Sequence, residues 1–154
     1  MNGNSAMPRS PIRLALLAPL LAAALLAGPA LAVLPEPDGD PDIAEGQRMI
    51  EAGRHGLAIE LLQAVLVRLP GDPDVLTYIA FAHRRRGDIA AAEAAYRAAL
   101  ATNPDHPGAL AYQGSLFLQQ GRRAEADANL ARLAASCGGC AERETLAREI
   151  AAAR

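Results

Sequence analysis

Cys137 and Cys140 are the only cysteines of the chain and stand three apart in Ser-Cys-Gly-Gly-Cys-Ala. Two intervening residues let both sulfurs reach one another or share one ion, so three chemistries are open to the pair. In an oxidising compartment it closes a local disulfide. Chain entropy adds little over so short a loop, and the bond would chiefly set the angle at which the following helix docks. As a free dithiol beside a helix start, the pair would exchange disulfides through a thiol whose pKa the helix end lowers, although the strand and helix of a thioredoxin-like site are missing. Metal binding is the third chemistry, but one pair supplies only two of the four ligands of a structural zinc and no second pair or nearby His completes it. Covalent haem attachment needs His directly after the second Cys, and Ala141 stands there. No metal or other cofactor is expected.

The remaining reactive residues do not assemble a catalyst. His55, His83 and His106 are widely spaced and read as surface or turn residues. A hydrolase needs nucleophile, base and oxyanion site converging in one pocket, and the few serines and scattered histidines offer no such set. Glycine loops that cradle phosphates are absent too. The expectation is a non-enzyme; thiol exchange at Cys137 and Cys140 is the alternative.

Residues 1–32 read as a secretory leader. Arg9 and Arg13 give a basic start, an uncharged Leu/Ala run extends from Leu14 to Ala27, and Gly28-Pro29 precedes Ala30-Leu31-Ala32, with cleavage expected after Ala32. The rival reading is an uncleaved anchor, since Leu14 to Leu34 lacks charge and about 20 such residues span a bilayer. No cysteine follows the run, so a lipid anchor is not expected. The implied compartment is the bacterial periplasm or the cell exterior, with no membrane contact after cleavage.

Residues 33–42, with three prolines and four acids, read as a solvated linker. What remains of the 154 residues suffices for one domain. Apolar residues make up 51% of the chain but aromatics only 3%, with no Trp, a composition suited to small side chains packed helix on helix. The net charge of −2, about −4 without the leader, gives no case for nucleic acid or anionic lipid.

The elements that position these residues follow from a period of 34. Gly53, Gly87 and Gly121 share it, as do Ala58, Ala92 and Ala126, and Pro70 and Pro104. Apolar residues at helical spacing predict first helices over Asp42–Ala52, Asp74–Arg86 and Gly108–Gln120. Each runs into a periodic glycine that allows the left-handed turn ending a helix. Second helices follow over Leu57–Leu69, Ile89–Thr102 and Ala124–Ala135, the periodic alanine marking a close approach. Pro70 and Pro104 stop the second helices, and Asp74 is expected to cap the next. Ala141–Ala153 reads as one more amphipathic helix, with Leu146 and Ile150 on one face and a Glu144–Arg148 pair four apart.

These residues resemble the tetratricopeptide repeat family. The middle unit carries Leu76, Ile79, Ala80, Ala92, Tyr96, Ala99 and Pro104 at the family positions. The first unit matches through Gly46, Met49, Gly53, Ala58, Leu62, Val65 and Pro70, and the third through Leu110, Gly114, Phe117, Gly121, Ala126, Leu130 and Leu133. The departures are the missing Trp early in each first helix and Gly138 where the third proline would stand. The resemblance implies an all-α, right-handed α-solenoid of three helix-turn-helix units over residues 43–138 (about 39–72, 73–106 and 107–138). A capping helix in 139–154 covers the last apolar face.

The resemblance also implies a concave face, lined by the first helices, that holds a peptide or partner helix. The inward positions are Gln47, Ile50 and Glu51; Thr77, Tyr78, Phe81, Arg84 and Arg85; then Ala111, Tyr112, Ser115, Leu118 and Gln119. Phe81 and Tyr78 would offer an apolar floor, with Arg84 and Arg85 pairing with carboxylates of a bound segment. The plainer reading makes Phe81 and Tyr78 core and Arg84-Arg85-Arg86 a solvated helix end that suits the helix dipole. Relatives that clamp the carboxylate terminus of chaperones use Lys and Asn in the groove. This chain has neither there. The expected function is a monomeric cell-envelope scaffold for a protein partner, the alternative a periplasmic thiol–disulfide module.

Overall fold

The computed structural model describes residues 39–153; the expected leader, its cleavage point and the linker up to residue 38 lie outside the described residues. Seven helices and no strand are found among them: α1 (Pro41–Glu51), α2 (His55–Arg68), α3 (Pro73–Arg86), α4 (Ile89–Thr102), α5 (Pro107–Gln119), α6 (Arg123–Ser136) and α7 (Ala141–Ala152). The pairs α1–α2, α3–α4 and α5–α6 are the three expected units, stacked in order as an α-solenoid, with α7 against α5 and α6. Pro41, expected in the linker, belongs to α1, as does Asp42, where the expected linker and first helix overlap.

Each first helix begins with a proline whose absent N–H is one the first turn leaves unbonded anyway. The residue before that proline supplies the cap: Asp40 Oδ1 accepts from the Asp42 amide at 2.9 Å and Asp72 Oδ1 from the Val75 amide at 2.9 Å. Asp74, expected as the cap, lies inside α3, because a cap must precede the helix and Pro73 already occupies its first position. His106 caps α5, its Nδ1 accepting from the Ala109 amide at 3.1 Å. It closes the turn after α4, its amide bonding to the Asn103 carbonyl at 3.2 Å, as the turn reading expects, but it is largely buried and not at the surface.

The first helices end alike. Gly53, Gly87 and Gly121 have φ of 73°, 86° and 73°. In each unit the amide after the glycine bonds five residues back, Arg54 to Met49, Asp88 to His83 and Arg122 to Phe117, at 2.8–2.9 Å. This closure satisfies carbonyls that the helix end leaves free and turns the chain into the second helix.

Small residues then let the helices close. Ala58, Ala92 and Ala126 are fully buried. A Cβ on Gly46 would lie 2.6 Å from Leu62 Cδ2, and one on Gly114 2.7 Å from Leu146 Cδ2. The core divides along the stack into three clusters. One joins Ile50 and Leu62 to Val75 and Ile79, one joins Ala80, Ala92 and Tyr96 to Leu116, and one joins Leu110, Phe117 and Leu133 to Leu146 and Ile150. Each cluster bridges neighbours, so stability is built from nearest-neighbour interfaces. A polar contact between α6 and α5 is buried among them: Asn129 Nδ2 donates to the Leu110 carbonyl at 3.0 Å and to Gln113 Oε1 at 3.1 Å.

The cap helix docks as expected through buried Leu146 and Ile150. Its Glu144–Arg148 pair does not form; Arg148 donates to the Thr145 hydroxyl at 3.0 Å. Outside the core, Arg68 reaches from the end of α2 to Asp40 at 2.9 Å and Asp42 at 2.7 Å. Its hydrogen bond holds the Asp40 carboxyl below the usual range. Arg122 pairs with Glu93 at 2.7 Å and with Glu125, and lies 4.3 Å from the Phe117 ring centre.

Candidate functional site

Residues three and four apart on one helix share a face, and the inward faces of α1, α3 and α5 meet along a groove. Gln47, Ile50 and Glu51 of α1, Tyr78 and Phe81 of α3, and Tyr112 of α5 enclose a cavity of about 310 Å³. A second, of about 270 Å³, lies between Phe81, Arg84, Tyr112 and Ser115 and the α7 residues Glu142, Thr145 and Glu149. A third, of about 170 Å³, is bounded by Asp74, Thr77, Tyr78, His106, Tyr112 and Glu142. Tyr112 lines all three, so the cavities share this residue. Phe81 packs beside it with ring centres 5.1 Å apart and planes at 57°, a tilted pairing favoured by aromatic quadrupoles.

The expected site residues divide by role. Gln47, Tyr78 and Phe81 line the first cavity, and Arg84 and Ser115 the second. Gln119 lies in a further open cavity with Arg84, Ser115, Leu118 and Glu149. Thr77 is nearly fully buried, its hydroxyl donating to the Pro73 carbonyl at 2.6 Å, so it shapes the groove wall more than it offers a contact. Arg85 is exposed and, unlike Arg84, does not line these cavities. Tyr78 and Phe81 are only partly buried and pack on the core edge while facing the groove, so the core and floor readings both hold.

Arg84 is already engaged. Its Nη1 donates to the Tyr112 carbonyl at 3.3 Å, and its guanidinium carbon lies 5.1 Å from the Phe81 ring centre. The guanidinium thus packs on the Phe81 ring and ties α3 to the α5 backbone at Tyr112. Beneath it Tyr96 is fully enclosed; burial pushes its hydroxyl well above the ordinary tyrosine value, and burial also raises Tyr78. Ser115, expected to face the groove, gives its hydroxyl to Glu149 of α7.

The contribution of α7 was not foreseen from the sequence. It stacks where a fourth first helix would stand, turning Glu142, Thr145 and Glu149 into the groove. The signal was present: these residues lie 34 positions after Gly108, Ala111 and Ser115.

At the other end of α6, Cys137 is the last cap position and Cys140 the residue before α7, with Cα atoms 5.6 Å apart. That separation is one a disulfide spans, and both residues pack on the third core cluster. Among the described residues no group of three or more His, Cys, Asp or Glu is placed to hold a metal ion, and no helix is long and apolar enough to cross a membrane.

The fold has counterparts in solved structures. The first TPR domain of the human RPAP3 protein is 22% identical with a TM-score of 0.65, over 73% of this chain and 88% of that one. The first TPR of Spaghetti (RPAP3) bound to an HSP90 peptide is also 22% identical, with a TM-score of 0.63 over 73% and 90%. The type III secretion translocator chaperone SycD of Yersinia enterocolitica is 17% identical, with a TM-score of 0.64 over 73% and 86%. No curated protein matches the chain. The tetratricopeptide repeat family model matches residues 73–116, α3 and α4 with most of α5. Residues 73–116 are thus similar to a tetratricopeptide repeat, and the described residues share the fold of solved TPR domains.

Proposed function

We propose that the chain is a non-catalytic scaffold of the bacterial cell envelope that holds a peptide or helix of a partner protein against its concave face. The observation that carries this reading is the meeting of three cavities at Tyr112, with Phe81 and Tyr78 beside it. Partly buried aromatic rings held by their neighbours are the kind of anchor that dominates binding at small interfaces. Support comes from the similar TPR domain of Spaghetti, whose structure has an HSP90 peptide bound. The absence of groove Lys and Asn sets this chain apart from a chaperone-carboxylate clamp.

The leader read in residues 1–32 would deliver the domain to the periplasm or the exterior, as a monomer without metal or cofactor. There the Cys137–Cys140 pair serves as a structural disulfide where α6 passes into α7. The thiol-exchange reading gains no support from the surroundings, because both residues pack against the core.

The test is site-specific photo-crosslinking in the native host. A photoreactive phenylalanine in place of Tyr112 should trap one partner, and the same group in place of Arg97, exposed on α4, should not. Equal trapping at both positions, or at neither, would sink the groove reading. Capture that instead requires Cys137 and Cys140 would move the assignment to thiol exchange.

A further inference from the structure

The charges around the aromatic centre are unequal. Glu51 borders the cavity on one side of Tyr112, and Glu142 and Glu149 border the cavity on the other. The one guanidinium of these two cavities, Arg84, is held by the Tyr112 carbonyl and the Phe81 ring. Among the described residues neither Glu51 nor Glu142 has a hydrogen-bonding or ion-pair partner within the protein. An acidic segment would meet repulsion from both sides, with a single partly buried cation to answer it, one N–H of which is given to the Tyr112 carbonyl. A basic one would meet two uncompensated carboxylates.

We infer that the groove selects a basic protein segment: an apolar side chain seated against Phe81 and Tyr112, flanked by cationic side chains that reach Glu51 on one side and Glu142 on the other. This rests on the groove being the partner site. Arginine suits the flanks better than lysine, since its planar fork bonds a carboxylate through two donors and stacks on aromatic faces. Charge of this kind sets partner choice and encounter rate, while the aromatic pocket supplies the anchor. The inference reverses the expectation from sequence, in which Arg84 and Arg85 would have drawn in carboxylates.

The experiment is selection from a random dodecapeptide library displayed on phage, using the full chain and three variants: Tyr112→Ala, Glu51→Gln/Glu142→Gln and Glu51→Arg/Glu142→Arg. Circular dichroism first establishes that each variant is folded; the Gln pair, which keeps side-chain size, stands in if the Arg pair is not. The wild type should enrich peptides with Arg or Lys on both sides of an apolar residue. The best of these should bind the Gln pair roughly tenfold more weakly and lose affinity as salt is raised, and the Arg pair should enrich acidic peptides instead. Tyr112-dependent enrichment of acidic or uncharged peptides by the wild type would overturn the basic-segment inference and leave the groove reading standing. Enrichment indifferent to Tyr112, or none, would overturn both.

Discussion

Nε2 of His106 lies 2.9 Å from Oδ1 of Asp74, so the residue that caps the third unit's first helix is tied to the start of the second unit's first helix. The geometry fixes the ring's proton. Nδ1 accepts from the Ala109 amide, so the neutral ring carries its hydrogen on Nε2 and donates to the carboxylate. One side chain thus sets the end of α5 and its register against α3, forming one wall of the groove. His106→Ala should cost about 1–2 kcal/mol in urea unfolding, in line with loss of a helix cap. His106→Asn should recover the part due to the cap while losing the tie to Asp74.

Glycines in contact and in open space should respond oppositely to alanine. Gly114→Ala places a methyl against Leu146, and Gly46→Ala one against Leu62. Each should destabilise by roughly 1–3 kcal/mol, the range for overpacking a filled core, despite alanine's better helix propensity. Gly56, in the first turn of α2, has nothing within 4 Å of an added Cβ. Gly56→Ala should be neutral or stabilise by up to about 1 kcal/mol. Equal effects in denaturant melts would refute the close packing described for the first two.

Acid should loosen the tie between α1 and the end of α2. Hydrogen bonding to Arg68 lowers the Asp40 pKa, and Arg122 does the same to Glu125. A carboxylate with a depressed folded-state pKa adds stability that is present above its unfolded pKa and lost as pH falls through the folded one. The melting temperature should therefore fall below the ordinary carboxylate range, and Asp40→Asn should reduce that slope. Glu125 is exposed and the Arg68 partner of Asp40 is half-exposed, so the effect should be small and weakened by salt. A variant with an unchanged acid limb would contradict the pairing.

At the alkaline end the sign is set by Tyr96. Burial raises its pKa above the ordinary value of 10.0. Above that pH the unfolded chain therefore sheds the proton first, and stability declines as pH rises. An absorbance titration of the three tyrosines should show one that ionises only as the chain unfolds. Its hydroxyl has no hydrogen-bond partner within the described residues. Tyr96→Phe should then be neutral or stabilising by up to about 1 kcal/mol and should abolish the late step.

Removing the cysteine pair should matter little to stability. A loop this short gives roughly 2 kcal/mol at most by the chain-entropy relation. Cys137→Ser/Cys140→Ser should stay folded and keep Tyr112-directed crosslinking. Mass spectrometry of the wild type isolated from its host after thiol alkylation, without reductant, should find both cysteines unlabelled. Labelling of both would rule out the structural disulfide.

The 34-residue period made most of this fold legible before any coordinates. It located the glycine turns and the buried alanines, and α4 begins and ends at the expected residues. What it missed follows from applying it incompletely. Asp72 and His106 are 34 apart and each precedes a proline, so the period with the N1-proline rule assigns both caps, whereas Asp74 alone looked plausible by residue type. Carrying the phase past Gly138 likewise places Glu142 and Glu149 in the groove. The Asn129–Gln113 contact and the engagement of Arg84 were beyond such reasoning, because both depend on how side chains of different helices meet in space.

The division of the core into clusters that each join neighbouring units has a mechanical consequence. Pulled from its two ends, such a stack has no single central core whose rupture releases everything at once. It should yield one interface at a time, beginning at an end, where each outermost element has a neighbour on one side only. Extension would then be a series of small, separate yields, with the groove opening in steps as its walls part.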